Sequence, residues 1–351
     1  MEPVIICPDD VSRLGNELIG LIITQEVNAP QSRRRAFHKG HRIAAGDLPT
    51  IAALDHAIHA VRLADDDVHE EDAARFLADL IRGDGLRPRT PVQSRINIIA
   101  EHKGLLRVDA EAVIAIDTFT GIGVFTMPDR LPVVPGKIVA GAKIAPVAIP
   151  RTTLDEVATY LKGREHPLIR VKPFLPLVTG VVVTEGLNPK IRERFEEVVC
   201  TKIGWYGGSV LRFAHVENVP DQVANAANAM LAEGATLILT AGGNIMDPLD
   251  ASIQALPGFD ASLLRLGAPA HPGSMFWLGY TNAGIPVVNL ATCSMYSRST
   301  VADLVLPWVM AGERVTNTDM ASLGYGGLLD RNMSWRFPPY DEDSVDEPDE
   351  E

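Results

Sequence analysis

The stretch of this 351-residue sequence best suited to chemistry is an apolar run that ends in two glycines and leads to two carboxylates. Gly242 and Gly243 follow the apolar residues 237–241, and Asp247 and Asp250 stand three residues apart just beyond. Backbone without a Cβ lets a phosphate approach main-chain N–H groups, and the carboxylates could then hold a metal ion or a hydroxyl group. The pattern predicts a strand, a turn and a helix start that form an anion site beside two acids.

A purely structural explanation of the same residues stays open. Paired glycines are common where a buried strand turns into a helix, and aspartate is an ordinary helix N-cap. The glycines are not followed by a Lys-Ser/Thr pair, and they lack the spacing of a dinucleotide fingerprint. The sequence therefore disfavours a simple P-loop or Rossmann cofactor site.

Composition and length predict a two- or three-unit cytoplasmic protein without a membrane segment. Hydrophobic residues make up 46% of the chain, but the longest apolar runs are far shorter than the roughly 18 residues that cross a bilayer. The N-terminus lacks a basic segment followed by a long apolar core, so no secretory signal is expected.

The acidic charge is concentrated at the C-terminus. Residues 340–351 carry eight Asp or Glu and no Lys or Arg, and removing these eight from the net charge of −13 leaves −5. We expect a solvated, disordered tail on a mildly acidic body. Nucleic-acid binding is not expected, although Arg33, Arg34 and Arg35 form one local basic cluster.

The three cysteines support neither a disulfide framework nor a zinc site, because they are odd in number and widely separated. Cys7 and Cys200 are expected to be buried or inert. Cys293 lies in a loop that follows a predicted strand.

The second half of the chain alternates strand-like and helix-like segments, which predicts an α/β fold with a mostly parallel sheet in three layers. Strands are expected at 177–185, 212–216, 236–240, 263–267 and 285–290, and helices at 188–200, 220–233 and 299–311. Ligands of such sheets sit beyond the carboxyl ends of the strands, where the loops 184–188, 241–250 and 290–296 fall.

The first half predicts a smaller region of mixed α+β or β character. A helix is expected to begin near residue 48, a strand at 57–62 and a helix at 69–82, and residues 104–150 are rich in Val and Ile but broken by Gly and Pro. The predicted organisation is an accessory region at 1–170, an α/β domain at 171–339 and the tail at 340–351.

Four separate pieces of the second half, in this order, resemble a known family. They are Thr179-Gly-Val-Val-Val-Thr-Glu-Gly-Leu187, Thr240-Ala-Gly-Gly243 with Asp250 after it, His271-Pro-Gly-Ser274, and Gly284-Ile-Pro-Val-Val-Asn-Leu290. Together they resemble the molybdopterin-binding domain shared by molybdopterin adenylyltransferases, molybdopterin molybdotransferases and gephyrin-type fusions. Residues 37–48 are similar to a segment of molybdotransferase accessory domains, and residues 323–328 to stand-alone bacterial molybdopterin-binding proteins.

The resemblance implies a protein of molybdenum cofactor biosynthesis that binds molybdopterin or adenylyl-molybdopterin, with transferase activity that inserts molybdate and releases AMP. It implies a rim of ligand-binding residues: Thr240, Gly242, Gly243, Ser252 and Ser274 for phosphate, Glu185 nearby, and Asn289, Thr292 and Cys293 on a third loop. Asp250 and Asp247 are the expected catalytic residues and the ligands of a Mg²⁺ ion.

Two departures from the family pattern weaken the expectation of catalysis. Asn244 and Ile245 stand where adenylyltransferases have Thr-Gly, and residues 291–294 replace the Pro-Gly-Asn-Pro loop of molybdotransferases. Two alternatives therefore stay open: a non-catalytic carrier or chaperone that hands the cofactor to a recipient molybdoenzyme, and a nucleotide pyrophosphatase.

Further expectations concern assembly and packing. Relatives form oligomers, which implies a homo-oligomer here, and the apolar helix near 301–310 is available for a core or a subunit interface. Trp277 and Tyr280 are expected in a core or interface. His38 and His41, beside the basic cluster, are expected on the solvated surface, with anion binding as the alternative.

Overall fold

The computed structural model describes residues 1–30, 34–92, 94–242, 247, 249–290 and 299–341, and within them the chain forms two compact units. Unit 1 comprises Met1–Ala100, Val108–Asp129 and Ile138–Arg170. Unit 2 comprises Glu101–Arg107, Arg130–Lys137 and the described part of Val171–Glu351. The predicted boundary at 170/171 therefore separates the last segments of the two units, but two segments of the first half belong to unit 2.

The first half is rich in short strands, as its Val, Ile and Gly content predicts. These strands are β1 (Glu2–Ile6), β2 (Ile22–Ile23), β3 (Val27–Asn28), β4 (Arg35–Phe37), β5 (Ile58–Arg62), β6 (Asp67–His69), β7 (Leu86–Pro88), β8 (Arg95–Ala100), β9 (Gly104–Val108), β10 (Ile122–Thr126), β11 (Pro132–Val133), β12 (Ile138–Ile144), β13 (Ala148–Pro150) and β14 (Ile169–Pro173). The helices among them are α1 (Asp10–Leu14), α2 (Leu48–Ala52), α3 (Glu70–Ile81), α4 (Ala110–Asp117) and α5 (Arg151–Lys162).

Within its described residues, unit 1 contains several small sheets. Their orders are β1-β5-β2, β10-β12-β8-β7, β13-β6 and β3-β4, and the pairs within them are antiparallel. Helix α3 confirms the helix predicted at 69–82, and it buries an apolar face that includes Leu77 and Ile81. The interleaved segments contribute β9 and β11 to a separate sheet of order β11-β9-β14.

Unit 2 is built on a six-stranded, mostly parallel sheet, which confirms the predicted α/β class. Its strands are β15 (Val178–Val183), β16 (Ser209–His215), β17 (Leu237–Ala241), β18 (Ala261–Leu266), β19 (Trp277–Thr281) and β20 (Pro286–Leu290), in the order β16-β15-β17-β20-β19-β18. The pairs among β16, β15, β17 and β20 are parallel, and β19 is antiparallel to both of its neighbours.

Helices cover both faces of this sheet and make the three layers. They are α6 (Pro189–Trp205), α7 (Pro220–Ala232), α8 (Ala251–Gln254), α9 (Val301–Met310) and α10 (Asn317–Ser322). Alternate residues of the strands face opposite sides, so Val181 and Val183 pack in a cluster with α6 and α9, whereas Val182 packs in a second cluster with α7 and α8.

Local sequence signals explain where helix α6 begins and ends. Asn188 caps it by accepting the N–H of Ile191 at 3.0 Å, and Pro189 occupies the first turn, where its missing N–H costs nothing. The helix continues five residues past its predicted end at 200. Lys202 and Ile203 are buried in this last part, so tertiary packing extends the helix beyond its local pattern.

Helix α9 belongs to the core of unit 2. All ten of its residues are buried, so this helix is not a free surface for a subunit contact. Trp277 and Tyr280 are also buried, as predicted. Among the described residues, no helix combines the length and apolar character needed to cross a bilayer.

Two expectations about burial differ from the structure. Cys7 and Cys200 were expected to be buried or inert, and both are solvent-exposed; partial burial and the nearby Glu196 raise the pKa of the Cys200 thiol. Tyr340 was assigned to the tail, but it packs in the core of unit 2. Residues 342–351 lie outside the described residues.

Candidate functional site

The carboxyl ends of β15, β17 and β20 lie side by side. Val183 pairs with Ala241, and Ala241 pairs with Leu290, so the loops after these strands begin at one edge. Helix α6 leads from β15 to β16, and α7 leads from β16 back across β15 to β17 on the other face. The chain order therefore reverses between β15 and β17, which is where open α/β sheets place their ligands. The strand ends from which the three predicted loops begin therefore lie at one edge, and we call this edge the rim.

Gly242, the first residue after β17, requires glycine for two independent reasons. Its φ of +98° lies in the left-handed region, and a Cβ added here would stand 3.0 Å from the Cβ, backbone N and Oε2 of Glu185. Glu185 therefore crosses the end of β17 at the switch point. The structure thus brings together two of the residues that the sequence predicts for the ligand site.

The N–H of Gly242 is already engaged in a long hydrogen bond. It donates to the carbonyl of Leu290 at 3.3 Å, which continues the sheet pairing by one residue. A phosphate bound at this N–H would have to displace that bond and lie close to the Glu185 carboxylate. The described part of the rim near Gly242 thus suits a hydrogen-bond donor better than an anion.

Thr240 and Asn289 form a buried polar pair just inside the rim. The Asn289 Nδ2 donates to Thr240 Oγ1 at 3.2 Å and to the carbonyl of Gly242 at 3.4 Å, and both side chains are 1% exposed. A carbonyl can only accept, so this contact fixes which end of the amide faces Gly242. Within the described ranges, the Asn289 Oδ1 has no hydrogen-bond partner. A buried acceptor left in this way costs about 1–3 kcal/mol, so it points to a missing donor.

Asp250 and Ser252 lie at the beginning of α8, where Asp250 is the N-cap. The Asp250 Oδ1 accepts the backbone N–H of Ser252 at 3.0 Å and also the Ser252 hydroxyl, and both residues are buried. Asp247 is exposed, and its Oδ1 accepts the N–H of Leu249 at 2.9 Å. The Asp250 contacts are those of an ordinary helix N-cap, which is the structural explanation that the sequence left open.

The described residues supply few ligands for a metal ion. No group of three or more His, Cys, Asp or Glu within them is placed to hold one. Magnesium often uses only one or two carboxylates and completes its shell with water and phosphate oxygens. Asp247 and Asp250 fit such a site only with oxygens that the ligand brings.

The loop that carries Ser274 lies against the beginning of α9. Gly273 has a φ of +104°, and a Cβ there would stand 2.8 Å from the backbone N of Val301, while Ser274 itself is exposed. Three other predicted site residues, Gly243, Thr292 and Cys293, lie outside the described residues.

Sequence reasoning missed a second polar cluster, at the end of the edge strand β16. His215 contacts Glu196 of α6 through Nε2 at 2.8 Å, and Arg192 donates its Nε to the same oxygen at 2.9 Å. Burial tends to raise the pKa of Glu196, but the hydrogen bonds from Arg192 and His215 outweigh it and lower the pKa. The position of His215 at the last residue of a strand was the available signal.

A buried ion pair lies where α6 packs against α9. Lys202 donates to Asp303 at 2.7 Å, and Tyr340 donates to the same oxygen at 2.7 Å. The other Asp303 oxygen accepts the N–H of Thr300 at 3.0 Å and its hydroxyl at 2.9 Å, which caps α9. Burial and the neighbouring Asp303 raise the pKa of Tyr340 well above its ordinary value.

In unit 1, His38 is exposed and His41 is tied to Asp47. The His41 Nε2 lies 2.7 Å from Asp47 Oδ2, and the two histidine rings are 5.6 Å apart at a steep angle. Arg33 of the neighbouring basic cluster is outside the described residues. The described contacts fit the expected solvated surface.

Comparison with known proteins gives weak similarities. No protein-family model and no curated protein matches the sequence. A structure from Corynebacterium diphtheriae, provisionally assigned to molybdenum cofactor biosynthesis, is 15% identical, covers 44% of this chain and 99% of its own, and has a TM-score of 0.29. The crystal structure of a NadC deletion mutant is 11% identical, covers 65% of this chain and 76% of its own, and has a TM-score of 0.14. TM-scores this low do not indicate a shared fold, so the residues of the site carry the functional argument.

Proposed function

We propose that the rim of unit 2 binds molybdopterin or its adenylylated form in molybdenum cofactor biosynthesis. The sequence pieces that resemble the molybdopterin-binding domain include the ends of β15, β17 and β20, and these ends are adjacent at the switch point of the sheet. The proposal joins a resemblance in the sequence to a position in the fold that is suited to ligands.

The observation that carries the proposal is the set of acceptors around Gly242. The Glu185 carboxylate approaches Gly242, and Asn289 presents a buried amide oxygen that lacks a donor among the described residues. The pyrimidine edge of a pterin offers ring N–H and amino groups, which are donors of the kind that such acceptors bind. A free phosphate would find no donor from these side chains.

Insertion of molybdate with release of AMP is the catalytic form of this proposal. Asp250 and Asp247 would then hold Mg²⁺ together with phosphate oxygens of the ligand, and the ion would neutralise charge on the leaving phosphate. Incubating the protein with adenylyl-molybdopterin, Mg²⁺ and molybdate would release AMP above the level of an Asp250→Asn variant. Equal release from both proteins would refute catalysis by Asp250.

A carrier is the second candidate, and the contacts of Asp250 favour it. Its Oδ1 accepts two hydrogen bonds as a helix cap, which is a sufficient structural role for a buried aspartate. A carrier would retain bound pterin and pass it to a recipient molybdoenzyme without AMP release.

Binding itself is tested with variants of Asn289. Protein isolated from cells that make molybdopterin is oxidised, and the fluorescent pterin released is quantified per mole of chain. Asn289→Leu removes both hydrogen-bonding groups and should lose about tenfold or more of the bound pterin, as loss of one or two buried hydrogen bonds implies. Asn228→Ala on α7, which removes an exposed amide that donates to the carbonyl of Gly258, is the control and should bind normally. Equal pterin content in the wild type and Asn289→Leu would contradict the assignment.

A further inference from the structure

The cluster at the end of β16 is organised around one carboxylate oxygen. The Oε1 of Glu196 lies 2.8 Å from His215 Nε2 and 2.9 Å from Arg192 Nε. A carboxylate facing these groups accepts from both, so the imidazole nitrogen that faces Glu196 carries a proton. Glu196 therefore fixes the orientation of a ring and of a guanidinium at the same time.

Glu196 engages only one nitrogen of His215 and one of Arg192. In the part of the chain that the structure describes, neither His215 Nδ1 nor the terminal nitrogens of Arg192 has a hydrogen-bond partner. The side chains are 19% and 49% exposed, so both are within reach of a ligand. Two nitrogen-bearing groups held side by side in this way form a fork for an anion.

The fork lies at the same edge of the sheet as the rim. His215 is the last residue of β16 and pairs with Val183, the last residue of β15, and β15 in turn pairs with β17. Strands are about 4.8 Å apart, so the ends of β16 and β17 are separated by about 10 Å. An elongated ligand whose ring end lies at Gly242 could reach the end of β16 across β15.

We propose that His215 and Arg192, positioned by Glu196, bind the phosphate end of the ligand whose ring end lies at Gly242. This inference rests on the proposed function. It separates the two ends of the ligand by chemistry, because the acceptors around Gly242 take the donor edge of the ring and the fork takes the anion. It also moves the phosphate away from the Gly242 N–H, which donates to Leu290.

Anion binding at this fork is coupled to proton uptake. The Nε2 of His215 already directs its proton at Glu196, so Nδ1 can donate to a phosphate oxygen only when the ring is doubly protonated. The charged groups in contact within this cluster are Glu196 and Arg192 from α6. The acidic residues that follow β15 and β16 in the sequence are Glu185 and Glu217, and Glu217 accepts a hydrogen bond from Gln222. Loss of that second proton should therefore weaken the binding of an anion at the fork.

Calorimetric titration of the full chain with inorganic pyrophosphate and, separately, with 6-hydroxymethylpterin tests the inference. His215→Gln and Arg192→Gln should each weaken pyrophosphate binding by about tenfold to a hundredfold, the range for a charge-assisted hydrogen bond, and leave 6-hydroxymethylpterin binding unchanged. Arg212→Gln is the matched control, since Arg212 is an exposed arginine of the same strand paired with Glu233. Titrations in two buffers of different ionisation enthalpy should show proton uptake in the wild type and none in His215→Gln.

The outcomes separate this inference from the function itself. If 6-hydroxymethylpterin binds but pyrophosphate affinity and proton uptake are the same in the wild type and His215→Gln, the fork is refuted and the pterin site stands. If no pterin compound binds while pyrophosphate binding depends on His215, the proposed function fails and the anion fork stands. Unchanged unfolding midpoints of the variants show that the effects do not come from misfolding.

Discussion

The buried pair between Lys202 and Asp303 gives the sharpest prediction about what holds unit 2 together. Their side chains are 6% and 1% exposed, so each charge depends on the other and on its hydrogen bonds. Replacing one partner of a buried pair typically destabilises a protein by about 3–5 kcal/mol, because the remaining charge is left buried. In Lys202→Met, Asp303 keeps the Tyr340 hydroxyl and two donors from Thr300. We therefore expect the lower end of that range, a loss of about 3 kcal/mol.

Tryptophan fluorescence during urea unfolding measures this loss of stability in unit 2. All four tryptophans of the chain, Trp205, Trp277, Trp308 and Trp335, lie in unit 2, so their signal does not report on unit 1. Asp303→Leu and the double variant complete a mutant cycle, and the double variant should be less destabilised than the sum of the two single variants. Arg212→Met breaks an exposed pair and should cost less than about 1 kcal/mol. A loss below about 1 kcal/mol in Lys202→Met, or strict additivity in the cycle, would refute the reasoning.

Three further predictions follow from the same contacts. Gly242→Ala should destabilise unit 2 by about 1–2 kcal/mol and reduce pterin binding, since alanine strains a φ of +98° and meets Glu185. Gly186→Ala, in the loop after β15 that carries Glu185, has open space and should be neutral in unfolding and binding assays. Burial tends to raise the pKa of both Glu313 and Asp319. Hydrogen bonds from Lys172 and Arg107 outweigh this effect and lower the pKa of Glu313 below 4.5. Hydrogen bonds from Thr316 and Arg130 do the same for Asp319 and lower its pKa below 3.8. The stabilisation by these two carboxylates is complete above their ordinary pKa values and is lost as the pH falls through the lowered pKa values of the folded protein, so the urea midpoint should drop between about pH 5 and about pH 3. The drop should be smaller in the double variant Glu313→Gln/Asp319→Asn, and an equal drop would contradict this assignment. Removing residues 342–351 should leave the unfolding midpoint unchanged, whereas Tyr340→Phe should lower the free energy of unfolding by about 1–2 kcal/mol through loss of the hydrogen bond to Asp303. A larger loss from the truncation than from Tyr340→Phe would show that the tail, not Tyr340, stabilises unit 2.

The parts of the fold that sequence predicts are those set by local signals. Asn188 and Pro189 fix the start of α6, and the glycine at 234 follows the end of α7, as helix capping requires. The runs of Val and Ile place β15, β17 and β20 within one or two residues. Because parallel strands end at one edge, the convergence of their loops follows from the same pattern.

The parts that sequence did not predict depend on distant partners. Segments 101–107 and 130–137 join unit 2 through strand pairing, which leaves no periodic signal in the sequence. The end of α6 is set by Lys202, whose partner Asp303 is about a hundred residues away. The His215 cluster was missed for the same reason, since Glu196 belongs to a different element. Exposure of Cys200 depends on which face α6 turns to solvent.

The central claim is that the rim of unit 2 binds a pterin through the residues around Gly242. The most direct measurement is the pterin content of the full-length protein after isolation from cells that make molybdopterin, read by fluorescence after oxidation. The account predicts a pterin that stays with the wild type and is lost from Asn289→Leu but not from Asn228→Ala. Wild-type protein that neither carries a pterin nor binds 6-hydroxymethylpterin or molybdopterin when either is added would contradict it.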